Sequence, residues 1–181
     1  MSRSWIQSFG GKVITPSDLR PEQVTFADIG HALSQKVRFS GHLREPYSVA
    51  QHCVLGAEHI APEFALAFLL HELSEVYLPD IPTPLKRMTE VNSIPWVDLE
   101  DQHLKVILTA LDLTRLYPLI NGPQVKLMDT QMLMTEKRDL MGPEPEPWGI
   151  DIQPLDYIIP EAWEPRKAEK LFNIAFKRWT K

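Results

Sequence analysis

The stretch FALAFLLHELSEVYLPDIP, residues 64–82, runs an apolar segment straight into a histidine and two glutamates. Pro62 suits the first turn of a helix and Pro79 stops one, so the sequence predicts a helix from Pro62 to about Tyr77. At ~100° per residue, His71, Glu72 and Glu75 project into an arc about a quarter-turn wide. Phe68 and Phe64 occupy that arc one and two turns earlier. Leu66, Leu69, Leu70 and Leu73 make the helix apolar nearly all round, which marks a buried element. A buried carboxylate without a partner costs several kcal/mol or takes up a proton. Two carboxylates and an imidazole in one wedge therefore ask for a cation. The alternative is that Glu72 and Glu75 reach solvent and His71 is a satisfied core histidine.

The rest of the chain is also mainly helical. TFADIGHALSQKVRF has Thr25 as an N-cap and apolar residues at 26, 29, 33 and 37. YSVAQHCVLGAEHI opens on Ser48 with Gln51 at the third helical position, a capping-box pattern. Further helices are expected from about Pro95, from Pro123 and from Pro165. WIQSFGGKVIT can make a short hairpin around Gly10 and Gly11. GPEPEPWG, residues 142–149, reads as an extended surface connection, because its prolines forbid a helix. The expectation is one all-α domain over 1–181, with an N-terminal extension to about residue 24 and an extended segment plus helix over about 142–181. Leu171, Ile174 and Phe176 in the last helix fit either an interface or ordinary core packing.

Composition narrows the function classes. With 181 residues, a net charge of −5 and no basic stripe, the chain is not expected to bind polymeric nucleic acid. The longest apolar run, Ala65 to Leu70, is too short to span a bilayer. The N-terminus lacks the apolar core of a signal peptide, and a single cysteine, Cys53, fits a reducing cytoplasm. It also removes the thiolate-based zinc motifs.

Two other residues could join His71 and Glu72 at a cation. His52 lies among the small residues Ala50, Cys53 and Gly56, which let another helix approach closely. Asp129 shares a stripe with Val125, Met132 and Leu133. Alone, His52 reads as a structural histidine and Asp129 as a partly solvated residue more often than as ligands; the order His … His-Glu … Asp, with each part on its own buried helix, is what stands out.

That order resembles the HD-domain phosphohydrolases, whose pattern is a histidine, an adjacent His-Asp pair and a distant aspartate holding one divalent metal in a helical bundle. Here it reads His52, His71-Glu72 and Asp129. The similarity is to the branch containing 5′-deoxynucleotidases and phage dATP triphosphohydrolases. It runs through SWIQSFGGK, DIGHALSQKVRFSGH, YSVAQHC, LLHELSEVYLPDIPTPLK and VKLMDTQMLMTEKRDLM, most of residues 4–141. The last forty residues carry no recognisable motif. Glu72 departs from the pattern, which expects aspartate, although hard divalent metals accept either carboxylate.

The resemblance implies a single divalent ion, with an N/O ligand set suited to Mn²⁺, Fe²⁺, Co²⁺ or Mg²⁺ and with Zn²⁺ as an option. Glu75, a turn after His71, would transfer a proton or orient water. Asp80 would contact the sugar, or else serve only as a turn residue between prolines. Arg38 and Phe39 resemble the family's Arg-aromatic pair, holding phosphate and packing on the base or sugar. Pro84 and Lys86 look like a base-packing residue and a second phosphate contact, and Lys126, three residues before Asp129, could also meet phosphate. Gly41 would leave space near the base. Read without the resemblance, Arg38 and Lys126 are solvated cations and Phe39 is a core ring.

Three functions are expected to compete. One is a deoxynucleoside triphosphohydrolase that attacks the α-phosphorus, with dATP as substrate; the others are a 5′-deoxynucleotidase and an inactive nucleotide- or metal-binding sensor. Arg38, Lys86 and Lys126 together exceed what a monophosphate needs, which favours the first. The resemblance further implies a homo-oligomer, dimer or hexamer, in the cytoplasm, or the host cytoplasm if a phage encodes it.

Overall fold

The computed structural model describes residues 4–180; residues 1–3 and 181, the outer ends of the expected domain, lie outside the described residues. Strands β1 (Ile6–Gln7) and β2 (Val13–Ile14) pair antiparallel, with Ile6 opposite Ile14. This is the expected hairpin, turned at Gly10 and at Gly11, whose φ of 78° suits glycine. The hairpin is fastened to the next element by Asp28, which accepts a hydrogen bond from the Gly10 amide at 2.5 Å and another from the Tyr77 hydroxyl at 2.9 Å.

The remainder is mostly α-helical, as the periodicity predicts. Helices α1 (Phe26–Gln35), α2 (Val49–His59) and α3 (Pro62–Leu69) are followed by a short α4 (Thr83–Lys86) and a second small hairpin, β3 (Glu90–Val91) with β4 (Ile94–Pro95). Then come α5 (Trp96–Ala110), a short α6 (Tyr117–Ile120), α7 (Pro123–Leu140) and α8 (Pro165–Trp179). The second hairpin was not anticipated, yet Asn92 and Ser93 both take positive φ, 50° and 64°, the two-residue turn that matches strand twist.

The caps differ from expectation in instructive ways. The Thr25 side chain makes no capping bond at α1. Ser48 does cap α2, its hydroxyl accepting from the Gln51 amide at 3.1 Å. The Gln51 side chain, however, does not close the box. It donates to the Glu161 carbonyl at 2.8 Å and accepts from the Trp163 amide at 2.7 Å, tying the C-terminal connection to the core.

Helices α2 and α3 sit at the centre of the core, packed on each other, with α8 and α7 also against both and α1 beside α2. The small residues of α2 allow this closeness. A Cβ added to Gly56 would lie 2.0 Å from Cε1 of Phe68. The same ring packs at 5.5 Å from the His52 ring and 4.4 Å from that of His71. Gly56→Ala should therefore destabilise the protein by about 1–3 kcal/mol through overpacking, read as a lower urea midpoint. Helix α8 faces the core with Ala168, Phe172 and Ala175, and leaves Ile174 exposed. Among the described residues, no helix is long and apolar enough to cross a membrane.

Candidate functional site

The segment carrying His71 and Glu72 is not the continuous helix that the proline spacing predicts. Helix α3 ends at Leu69, and a 3₁₀ turn follows over Leu73–Val76. The amides of Leu73 and Glu75 bond three residues back, to Leu70 and Glu72, at 3.2 and 3.0 Å. Two side chains bond carbonyls of this segment. His71 Nδ1 bonds the Phe68 carbonyl at 2.6 Å. Lys36, half-buried, donates to the carbonyls of Glu75, Val76 and Leu78, the last two at 3.2 and 2.8 Å. Burial pushes the Lys36 ammonium down to about 8, against the charges of Glu75 and Asp80.

The tighter winding sorts the side chains, because residues three apart eclipse in a 3₁₀ turn. Glu72 and Glu75 face a cavity of about 800 Å³. His71 and Ser74 face a smaller recess of about 230 Å³ on the other side. Glu72, Lys86 and Asp129 border both spaces.

Between them lies the four-residue group read from the sequence. His52, His71, Glu72 and Asp129 each offer a ligand atom, and these atoms lie within 4.8 Å of one another. The Nε2 atoms of His52 and His71 are 3.3 Å apart, and Asp129 Oδ1 is 3.3 Å from the first and 3.6 Å from the second. Glu72 Oε1 lies 3.5 Å from His71 Nε2, so the longer side chain does reach the group.

The outer ring nitrogens test whether this set suits a cation. His52 Nδ1 is 2.6 Å from Glu136 Oε1 and His71 Nδ1 is 2.6 Å from the Phe68 carbonyl, so acceptors claim both outer N–H groups. In the neutral rings the two Nε2 lone pairs then face each other and two carboxylates. Such a cluster is repulsive unless a positive charge is shared inside it. A proton can do this: burial lowers the affinity of His71 for one, but Glu72, Asp129 and Cys53 overcome this and raise it well above the usual imidazole range. Asp129 responds in the opposite sense, held well below the carboxylate range by the two imidazoles despite its desolvation. A metal ion fits the same donors.

The cavity wall gathers most of the other predicted residues. Arg38, Phe39, Glu75, Asp80, Pro84 and Lys86 all line it, whereas Gly41 does not and Lys126 lines the smaller recess. The cations are not free. Arg38 is buried and bonds Glu136 Oε2 through Nε at 2.9 Å, with its NH1 3.5 Å from Glu72 Oε1. Lys86 Nζ sits 2.8 Å from Glu100 Oε1 and 3.8 Å from Glu75 Oε1. Glu75 is buried, and its Oε2 has no hydrogen-bond partner. Desolvation, helped by the charges of Glu72 and Asp80, pushes its carboxyl well above the usual range. Asp80 is raised too, first by desolvation.

Phe39 is held in an unusual backbone state. Phe39, Ser40 and Gly41 take φ of 55°, 50° and 80°, three successive left-handed residues of which only the glycine adopts that state freely. The ring faces Trp148, with centroids 6.3 Å apart. Trp148 belongs to the proline-rich connection expected to be mere surface. That connection is extended and largely exposed, but it forms a wall of the cavity through Trp148 and Ile150. Lys137 holds it there, pairing with Glu144 and lying 4.9 Å over the Trp148 ring.

Sequence reading missed Trp148, Lys36, Glu100 and Glu136. Only Glu136 left a usable signal, since it follows Asp129 by seven residues, two helical turns, and so shares its face.

No family model matches the chain. It is 36% identical over 163 residues to the uncharacterized protein YfdR of Escherichia coli (strain K12), covering 88% of this chain and 87% of that protein. It is also 27% identical over 151 residues to the uncharacterized protein RCAP_rcc00048 of Rhodobacter capsulatus, covering 78% and 76% of the two.

Proposed function

The chain belongs to the family of the uncharacterized protein YfdR, and we propose that it is a metal-dependent deoxynucleoside triphosphohydrolase, splitting dATP and water into deoxyadenosine and triphosphate. The observation that carries this reading is the convergence of His52, His71, Glu72 and Asp129 at the junction of the large cavity and the small recess. The choice of dATP rests on the resemblance to HD-domain phosphohydrolases.

A divalent ion on these four residues, Mn²⁺, Co²⁺, Fe²⁺ or Mg²⁺ by its nitrogen and oxygen donors, would polarise a phosphoryl oxygen and acidify a water. The side chains around it divide the remaining work. Glu75 offers a partnerless carboxylate oxygen of raised basicity, suited to take the proton of the attacking water. Arg38 would meet the α-phosphate from the cavity side, and Lys126 the distal phosphates in the recess. The wall of Phe39, Pro84 and Trp148 would receive the nucleoside, with Asp80 toward the sugar. Water attacks the α-phosphorus, the bond to the 5′ oxygen breaks, and that oxygen leaves with a proton.

One observation favours a second reading, a 5′-deoxynucleotidase. Arg38 and Lys86 are each already engaged by carboxylates, which leaves less positive charge for a triphosphate than the sequence promises. The two are separated by product analysis. The protein with Mn²⁺ is expected to convert dATP into deoxyadenosine and intact triphosphate, resolved by ion-exchange chromatography. Orthophosphate released from deoxynucleoside monophosphates alone would establish the nucleotidase instead, and no turnover of either would refute both.

A further inference from the structure

Glu136 is fully buried, at 0% exposure, in the middle of the last turns of α7. A carboxylate there is costly unless every lone pair facing protein is used. Its two oxygens are divided between two different groups. Oε1 lies 2.6 Å from His52 Nδ1, and Oε2 lies 2.9 Å from Arg38 Nε. One partner belongs to the ligand group and the other faces the cavity. Burial alone would push this carboxyl up, but the guanidinium and the imidazole hold it below the usual range.

We propose that Glu136 is a positioning residue that sets the tautomer of His52 and the orientation of Arg38 together. By accepting the Nδ1 proton it leaves the His52 Nε2 lone pair pointed at Asp129 and His71. By holding the Nε edge of Arg38 it turns the other guanidinium nitrogens toward Glu72 and the cavity. Neither His52 nor Arg38 has another partner within the described residues that could impose the same choice. The proposal rests on the metal-dependent reading above, since a directed Nε2 lone pair matters only if a cation is to be held.

The geometry makes an isosteric test informative. In Glu136→Gln the amide has one acceptor and one donor for two groups that both present N–H. The permanently charged Arg38 is the stronger donor and takes the amide oxygen. The amide NH₂ then faces His52 Nδ1 and can bond it only as an acceptor, which moves the ring proton to Nε2. That proton occupies the position from which the ligand lone pair should point.

The test reads His52 directly, in ¹⁵N-histidine-labelled, metal-free protein, by long-range ¹H–¹⁵N correlation, which tells the two ring tautomers apart. The His52 signal is assigned by its loss in His52→Gln. The expected result is an Nδ1–H ring in the unmodified protein and an Nε2–H ring in Glu136→Gln. Calorimetric Mn²⁺ titration should then show affinity about 10–100-fold weaker in that variant, with Glu136→Asp, which keeps both acceptors, nearer the original. An Nε2–H ring in the unmodified protein, or Mn²⁺ affinity unchanged by Glu136→Gln, overturns the proposal. If Glu136→Gln fails to fold, the unmodified spectrum decides. None of these readings requires turnover, so an inactive protein would refute the hydrolase and leave this assignment standing or falling on its own.

Discussion

Asp129→Asn is expected to abolish both metal binding and hydrolysis while leaving the fold unchanged. The Asp129 side chain is 41% exposed, so the near-isosteric amide should still allow folding, although it gives up the attraction to the two imidazoles that holds this carboxyl well below its ordinary range. What it removes is the negative oxygen 3.3 Å from His52 Nε2 and 3.6 Å from His71 Nε2. Lewis-acid stabilisation of a phosphoryl transition state is worth several kcal/mol, and each 1.36 kcal/mol is tenfold in rate, so a loss of roughly 10³-fold follows. Stability gives the companion readout. A metal at 100 times its Kd stabilises the folded state by about 2.7 kcal/mol. The unmodified protein should therefore melt higher in Mn²⁺ and the variant should not.

Glu75→Gln should separate chemistry from metal binding. A positioned general base contributes about 10²–10⁴-fold, so hydrolysis should fall by that factor while the Mn²⁺-dependent rise in melting temperature persists. Loss of both together would make Glu75 part of the metal group instead. The same variant should be more stable than the unmodified protein when both are metal-free at neutral pH. Desolvation, Glu72 and Asp80 raise the folded-state pKa of Glu75 well above its ordinary 4.5. A group raised in this way contributes stability that is fully present below its unfolded pKa and is lost as pH rises through the folded value. A glutamine carries no such loss. Chemical denaturation should thus show the variant's advantage at pH 8 and its disappearance toward pH 4.

How much of this was legible depends on the reach of each interaction. The ligand group could be read from the order His … His-Glu … Asp, with His52 on the buried helix α2 and Asp129 on α7 beside buried Val125 and Met132. The Glu72 and Glu75 pairing was also legible, though not for the reason the helical angles give. A three-residue separation aligns side chains in a 3₁₀ turn more closely than in the continuous α-helix expected to Tyr77. The carbonyls that follow the 3₁₀ turn are taken by Lys36, 39 to 42 residues away, and no local pattern announces that contact. Glu136 was legible only in that it shares a face with Asp129; its partners Arg38 and His52 stand 98 and 84 residues off. Without them, a glutamate near the end of a charged helix reads as a solvated residue.

Trp148 lay beyond sequence reasoning altogether. The prolines around it correctly exclude a helix, but the path of an extended segment is set by distant anchors. Here these are Lys137 at Glu144 and Arg138 at the carbonyls of Leu155 and Tyr157. The second hairpin is the opposite case. Asn92-Ser93 between Val91 and Ile94 is a local signal that could have been read and was passed over.

The most direct test of the proposed metal centre is calorimetric titration of Mn²⁺ into chelator-treated protein. One ion per chain, with binding lost in Asp129→Asn and in His71→Ala, is the predicted result. No binding, or binding that survives both substitutions, would contradict it.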